Sequence, residues 1–368
     1  MDVLYVAEVA EIIRRHTGPR RYLKDQQNPL EILTDVQFVD RYRLTKDGVV
    51  NFMAFLHEDL AKVNNRGSPL PPLLKFTVVL RFYATGCFQV VSGDLEGVSQ
   101  PTVSRLVKEV SRIIAIKHDD FIKFPTNPQD VRTQAIKFYQ KSGFPGVVGA
   151  LDCTHIKIQS PGGQHAELFR NRKGYFSINV QAVCDADMLL TNVVARWRAV
   201  CDADMLLTDV VARWRGSVHD ARIFDNSSLR EKFENSTYTN MLVADNGYGC
   251  KPYVMTPFLT SRCVAEQRFN KSLIKSRITI ERTFGVWKRV FPCLSFGLRT
   301  KIDTTMTIII ATAVLYNFAR QQRIITDDYY AEIQDNNIST IMVGPQAQGN
   351  NVAGLDKRRQ IVQSHFTR

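Results

Sequence analysis

The sequence predicts an α/β domain preceded by an all-α domain, and three observations carry this prediction. Residues 1 to about 140 contain long stretches with helical periodicity, such as residues 49–63 and 73–83, and few alternating strand-type runs. From about Gly146 short apolar runs separated by turns follow, and helical patterns then return. The chain has 368 residues and 44% hydrophobic content, which is enough for about two domains with buried cores.

Composition narrows the functional class to an intracellular protein with a polyanionic partner. The formal net charge of +12 favours nucleic acid first and an anionic membrane second. The N-terminal segment is not typical of a secretory signal, and the longest apolar run, residues 307–319, is shorter than a membrane span and predicts a buried helix. Seven scattered cysteines without a CxxC pair argue against a disulfide framework or a structural zinc site, and favour the reducing cytoplasm or nucleus.

The helical domain, residues 1–140, contains a helix-turn-helix-like pattern at residues 94–116. A short helix is followed by a turn at Gly97 and by a second helix with Ser99 as its predicted cap. The outward positions of this second helix include Arg105 and Lys108, which suit a helix that enters a DNA groove. An ordinary αα-hairpin of a helical bundle fits the same pattern equally well.

The second domain is placed at residues 146–320, with a tail at residues 321–368. Residues 147–152 and 156–158 predict one long strand or two strands joined by a bend, and residues 177–184 predict another strand. The later elements are predicted as a helix at 219–233, a strand at 241–244, a basic loop at 250–271, helices at 272–290 and 302–319, a flexible tail to 354 and a short helix at 357–366.

An internal repeat interrupts this domain. Residues 182–198, AVCDADMLLTNVVARWR, recur as residues 199–215 with Asp209 in place of Asn192 as the single difference. Each copy predicts one β-hairpin. The near-identity indicates a recent tandem duplication or a gene-model error rather than a solenoid. The surplus copy must either bulge out of the sheet or displace the residues that follow it, and only the first outcome leaves a site around it intact.

Three acidic residues occupy positions where an acid requires an explanation. Asp152 lies within an apolar strand-type run and Asp245 lies where a strand runs into a glycine-rich turn, although either aspartate could be a turn-forming residue. Glu281 falls on the apolar stripe of a predicted helix, where a glutamate is rare unless it is paired, for example with Arg277 or Arg282.

Together, two strand-borne aspartates and a helix-borne glutamate form a ligand set suited to two divalent metals over a phosphodiester. Oxygen ligands select Mg²⁺ or Mn²⁺ rather than zinc. His155 and His219 lie near the acids, but without a second ligand at zinc spacing they are interpreted as hydrogen-bonding or packing residues.

Five ordered sequence blocks carry a family resemblance. They are LDCTHIKI around Asp152, NRKGYFSINVQAV at residues 171–183, GSVHDARIFDNSSL at residues 216–229, VADNGYGCKPYVMTP around Asp245 and KSRITIERTFGVWKR around Glu281. These blocks resemble those of PIF/Harbinger transposases and of their domesticated nuclease relatives. The resemblance implies an RNase H-like mixed sheet flanked by helices, with Asp152, Asp245 and Glu281 as the catalytic DDE acids.

Further expectations follow from this resemblance and from the basic residues. Asp220 is a further acid that the family places near the metals, while a carboxylate at a helix N-terminus explains it equally well. Basic side chains around the acids are expected to hold DNA phosphates, with a plain solvated face as the alternative. The DNA-binding candidates are Arg105, Lys108, Arg172, Lys173, Lys275, Arg277 and Lys288.

The leading functional hypothesis is a DNA nuclease of Harbinger transposase origin that uses Mg²⁺ or Mn²⁺. A catalytically silent DNA-binding or scaffold protein with the same fold is the alternative, and the repeat is the feature that favours it. An RNA nuclease is weaker, because nothing resembles a module that reads the 2′-hydroxyl. The resemblance further implies a nuclear and cytoplasmic protein with a Myb/SANT-like partner, with homo-oligomerisation left open and no membrane association.

Overall fold

Helices form the first part of the chain, as its periodicity predicts. The computed structural model describes residues 28–61, 70–95, 97–194, 200–201, 207–209, 220–235, 240–325 and 351–367. The helices before the sheet are α1 (Asp35–Tyr42), α2 (Lys46–Ala61), α3 (Pro72–Thr85), α4 (Gln89–Leu95), α5 (Gln100–Ile116) and α6 (Pro128–Ser142), with single turns at Pro29–Ile32 and His118–Phe121. Capping groups mark their ends: the Asn127 side chain accepts a hydrogen bond from the first turn of α6, and Gly143 ends that helix with φ +73°.

The predicted helix-turn-helix-like segment contains two helices, α4 and α5, joined by a turn in which Gly97 has φ +62°. Val103, Leu106, Val107 and Val110 of α5 are buried, as predicted. Ser99 is the N-cap residue of α5, as predicted, but its hydroxyl pairs with the Thr102 hydroxyl at 2.9 Å and not with the helix backbone. Whether this pair of helices binds DNA remains a prediction.

The chain then forms a mixed five-stranded sheet with the order β3-β2-β1-β6-β7. Its strands are β1 (Val147–Lys157), β2 (Ser177–Cys184), β3 (Leu190–Val194), β6 (Met241–Val243) and β7 (Val254–Met255). β1 is antiparallel to β2 and parallel to β6, and β6 is parallel to β7. β1 is therefore one long strand. The mixed sheet with flanking helices agrees with the α/β architecture expected for the second domain.

Helices flank this sheet, and the bounds of several of them differ from the prediction. They are α7 (Asp220–Asp225), α8 (Ser228–Glu234), α9 (Val264–Val290), α10 (Ile302–Gln321) and α11 (Val352–Ile361), with short turns at Ala166–Phe169, Cys293–Phe296 and 362–366. The single helix expected at residues 219–233 is two helices, because the Ser227 hydroxyl accepts a hydrogen bond from the backbone of Arg230 and begins a new helix. The predicted basic loop contains β7 and the first turns of α9, which begins before the expected Ser272.

The apolar helix α10 is the centre of the core. Every residue from Thr305 to Ala319 is buried, and α10 packs against α5 of the helical part. Its length and hydropathy would suit a membrane span, but 83% of its most apolar window is buried inside the protein. One continuous core cluster runs from Phe38 to Phe366, so the helices before the sheet share the core of the α/β part, and the boundary near residue 140 remains a prediction.

The second copy of the repeat does not enter the five-stranded sheet. Its strands, β4 (Val200–Cys201) and β5 (Leu207–Asp209), pair with each other as a separate two-stranded sheet. The first copy supplies the end of β2 and all of β3. Residues 195–199, 202–206 and 210–219, which include His219, lie outside the described residues. Of the two outcomes predicted for the surplus copy, the positions of β4 and β5 agree with the first, in which this copy bulges out of the sheet.

The end of the chain returns to the sheet. The predicted short helix exists as α11 and begins earlier than expected. It docks on the core, because the backbone amide of Asn351 donates to the Cys250 carbonyl at 2.9 Å and the Phe366 ring lies 5.6 Å from that of Phe269. The remainder of the predicted flexible tail, residues 326–350, lies outside the described residues.

Candidate active site

Asp152 and Asp245 lie side by side on neighbouring parallel strands. Ala150 of β1 is in register with Val243 of β6, and each aspartate follows two residues later. Because adjacent strands are about 4.8 Å apart, both carboxylates lie at the same level of the sheet. Asp245 also accepts a hydrogen bond from the Gly247 amide at 2.9 Å, so it forms its turn as well.

The pKa of Asp152 reports a poorly compensated negative charge. Its side chain is only 16% exposed. Burial and, after it, the charge of Asp245 raise its pKa to about 8 against the smaller opposing effect of Arg277. Burial also raises the pKa of Asp245, against the influence of Arg277 and with that of Asp220. The two aspartates thus occupy a site where a proton or a cation is required.

Arg277 links these aspartates to Glu281. The guanidinium lies 3.5 Å from the Asp152 carboxylate and 2.6 Å from that of Glu281, one helical turn further along α9. Arg277 is buried, whereas the Glu281 side chain is 47% exposed. The pair of Arg277 and Glu281 is one of the two ion pairs that the sequence analysis considered for Glu281. Arg277 therefore lies among the acids and not on an open surface that could face DNA.

The prediction that Glu281 lies on a buried apolar stripe is wrong. The residues of α9 that pack on the core include Leu273, Ile280 and Trp287, while Ile274 and Ile278 are only partly buried. The buried face of α9 is therefore rotated by about one residue from the face inferred from apolar spacing. Glu281 lies at the edge of the buried face.

Asp220 begins α7 and is held from the sheet. The Asn179 amide of β2 donates to its carboxylate at 2.8 Å, and its charge raises the pKa of both Asp152 and Asp245. Asp220 is therefore near the other acids, although it also has the helix N-terminal position of the alternative interpretation. The contact to Asn179 was missed at the level of the sequence, even though this residue belongs to one of the resembling blocks.

Three cations define a basic track beside the acids: Lys288, Lys173 and Arg172. The Lys288 ammonium donates to the Thr154 hydroxyl at 2.6 Å and to the His155 carbonyl at 2.9 Å. Burial and the neighbouring Lys173 lower its pKa to about 8. Lys173 and Arg172 are exposed and, together with Lys288, act against protonation of His155, whose pKa is lowered mainly by burial.

His155 is close enough to Asp220 for the charge of this carboxylate to oppose the lowering of the histidine pKa by burial. The His155 ring pairs with the Ser177 hydroxyl at 3.0 Å, as expected of a hydrogen-bonding histidine. Lys275 is exposed on α9, and Arg105 and Lys108 are exposed on α5. The structure brings Lys288, Lys173 and Arg172 together and leaves Arg105, Lys108 and Lys275 on other surfaces.

The donor chemistry suits a hard divalent cation, but the side chains are not arranged as a closed site. Within the described ranges, no set of three or more histidine, cysteine, aspartate or glutamate side chains is close enough to hold a metal ion. The Arg277 guanidinium lies between Asp152 and Glu281. Carboxylate oxygens are the ligands that Mg²⁺ and Mn²⁺ prefer, and the raised pKa values show charge that a cation would compensate. The chemistry of these donors therefore fits a divalent cation, whereas the positions of the described side chains do not form a metal site.

A mixed sheet with acids on β1, after β6 and on a following helix defines a nuclease domain of the DDE type. Residues 151–199 and 197–317 match a family model described as DDE superfamily endonuclease. The two matched pieces meet where the first copy of the repeat ends, as expected if one copy is an insertion. DDE superfamily endonucleases generally use divalent metals.

Comparison with curated proteins narrows the class to one family. The chain is 28% identical to human "Putative nuclease HARBI1" over 294 residues, covering 79% of both chains, and 26% identical to the mouse protein of that name over 348 residues, covering 92% of this chain and 93% of the relative. It is 25% identical to "Protein ALP1-like" of Arabidopsis thaliana over 210 residues, covering 53% and 47%. These similarities support the assignment of the chain to the Harbinger transposase-derived nuclease family. No solved structure matches it.

Proposed function

We propose that this chain is a divalent-metal-dependent DNA nuclease that hydrolyses phosphodiester bonds. The observation that carries the proposal is the convergence of Asp152, Asp245 and Glu281 around the Arg277 guanidinium, beside the middle of β1 and the end of β6. The family match and relatives that are named as nucleases support the same reaction class.

Each acid has a defined role in this proposal. Asp152, Asp245 and Glu281 would hold the cation, with Asp220 as a further ligand steadied by Asn179. Two bound divalent ions would supply an activated water and stabilisation of the leaving oxygen. The positive charge of the bound ions would also favour the ionised form of Asp152, whose buried carboxyl otherwise keeps its proton near neutral pH.

The cations would position the DNA. The basic track of Lys288, Lys173 and Arg172 lies along β1 next to the acids, where it can hold the phosphates on one side of the scissile bond. The exposed Arg105 and Lys108 of α5 and Lys275 of α9 would extend this contact. The net charge of +12 supports a polyanionic substrate.

Biological context is proposed from the resemblance alone. The protein would act in the nucleus and also occur in the cytoplasm, and a Myb/SANT-like protein would assist its DNA binding. Neither self-association nor a membrane is needed for the chemistry of the site.

Plasmid nicking tests the proposal. Supercoiled plasmid is incubated with Mg²⁺, Mn²⁺ or EDTA and with the full chain, Asp152→Asn, Glu281→Gln or the exposed control Asp40→Asn. We expect metal-dependent nicking by the full chain and by the control, and a loss of about 100-fold or more in the two site variants, as is usual when a group that stabilises the transition state is removed. Equal nicking by all variants would show a contaminant or a different site.

A second candidate function is a DNA-binding protein without catalysis. The buried Arg277 that neutralises Asp152 and Glu281, and the inserted second hairpin before Asp220, favour it. The same assay with a chain lacking residues 199–215 separates the two functions. Nicking only by the shortened chain would assign inactivity to the insertion, whereas DNA binding without nicking by both chains would favour the silent protein.

A further inference from the structure

A cavity of about 320 Å³ lies outside the carboxylate site, between the helix pair α4–α5 and the loop that follows α9. One wall is formed by residues 86–89, which lead into the first residue of α4, and by Gln100, the first residue of α5. The opposite wall is formed by residues 293–300. The cavity therefore joins the helical part of the chain to the nuclease domain, and its size is in the range of small-ligand sites.

Two phenylalanine rings at this cavity face solvent. Phe88 is 58% and Phe296 is 69% exposed, and the Arg299 guanidinium lies 3.9 Å from the centre of the Phe88 ring. Gly86 keeps the walls close, because a Cβ there would lie 3.0 Å from the Phe296 ring and from the Cα of Cys293. Folding gains little from rings left in water, so their position in one cavity points to a flat, π-rich ligand.

The polar groups of the cavity suit the edge of such a ligand. The side-chain amides of Gln89 and Gln100 each offer a donor and an acceptor. Arg299 is exposed and adds a positive charge with a planar surface for stacking. A nucleotide has a base with a π-face and hydrogen-bonding edges and, through its sugar, a phosphate, so it uses all three kinds of group.

The cavity is also on the path that a DNA strand would take from the acids. Leu298 of its wall donates its backbone amide to the Lys157 carbonyl at 2.9 Å, at the end of β1. Asp152 lies five residues earlier in the same strand, a distance of about 16 Å at the usual strand rise. The basic track and the exposed Lys157 lie along this interval, and the distance corresponds to about five base-pair rises of a duplex.

We propose that this cavity binds one unpaired nucleobase of the DNA substrate, stacked on Phe296 and held by Gln89, Gln100 and Arg299. The inference rests on the proposed nuclease function, since it assigns a second contact to the same DNA. An unpaired base enters at a smaller cost than a base that has to be extracted from an intact duplex. The site would thus favour DNA that is locally unpaired a few nucleotides from the cut.

The test measures binding without cleavage. The full chain in EDTA is titrated with a duplex that carries one bulged 2-aminopurine and with the same duplex fully paired. We expect roughly 10-fold tighter binding of the bulged duplex, since a base stacked on an aromatic side chain contributes on that scale, together with quenching of the 2-aminopurine fluorescence. Phe296→Ala and Phe88→Ala should remove the preference and leave binding of the paired duplex within about two-fold.

Matched variants make the outcome decisive. Val36→Ala removes an apolar side chain that is 73% exposed on α1 and should retain the preference. Equal affinity of the full chain for both duplexes, or a preference that survives in both phenylalanine variants, would overturn the proposal and show that the cavity does not bind an unpaired base. Because no cleavage is needed, a failed nicking assay and a failed base preference are separate results.

Discussion

Replacing Asp152 by asparagine is expected to stabilise the metal-free protein at alkaline pH. In the folded chain burial raises the pKa of this carboxyl to about 8, against 3.8 for a free aspartate. Between these values the folded state keeps a proton that the unfolded state has lost, so the free energy of unfolding falls as pH rises from about 4 to about 8. The asparagine variant lacks this dependence.

The magnitude follows from the same pKa difference. Each pKa unit is worth about 1.4 kcal/mol, which sets an upper limit of about 5–6 kcal/mol above pH 8. Arg277 loses one partner in the variant but keeps Glu281, and relaxation of the site reduces the effect. We therefore expect Asp152→Asn to be more stable than the natural chain by about 2–5 kcal/mol at pH 8.5 and by much less at pH 5.

Urea unfolding in EDTA, followed by the fluorescence of the buried Trp287, measures this difference. Asp40→Asn, on the exposed surface of α1, is the control and should show no such dependence. Mg²⁺ at pH 8.5 should stabilise the natural chain but not the variant, because a ligand stabilises only the form that binds it. A stability difference that is equal at both pH values, or a variant that is less stable at pH 8.5, would refute the reasoning.

Three further predictions concern the framework of the site. Asn317→Ala removes a buried side-chain amide that accepts from the backbone N–H of Leu190 and donates to the carbonyls of Leu190 and Phe121. We expect the free energy of unfolding, measured in urea, to fall by about 3 kcal/mol or more. A decrease below about 1 kcal/mol would contradict this prediction. Gly354→Val places a side chain whose Cβ would lie 2.6 Å from the loop after β6, and should release α11 and expose it to protease, whereas Gly285→Ala, with open space around it, should be neutral or slightly stabilising. Chains that lack either residues 182–198 or residues 199–215 differ in sequence only by aspartate against asparagine at one position; both should fold with melting temperatures within a few degrees of each other, and failure of both to fold would show that the second hairpin is structural.

Local patterns were sufficient for much of the fold. The strand at Ser177–Cys184 and the apolar helix from Ile302 were predicted with correct starts, because a continuous apolar run between turn signals has few alternative structures. β7 was missed, since Val254–Met255 is too short to show any alternation. The start of α9 was missed because its first turns are basic and exposed, and resemble a loop in composition.

By itself, the sequence identified Asp152, Asp245 and Glu281 as the acids to examine, since an acid within an apolar strand, at a strand end or on the inferred apolar stripe of a helix requires a partner. The tertiary structure alone decided that Arg277 bridges two of them, that Asp220 is held by Asn179 and that the second hairpin stays outside the sheet. The reason is physical: hydrophobic periodicity reports the conformation of neighbouring residues, whereas the side of a helix that becomes buried, and the charges that meet there, depend on which distant strands it packs against.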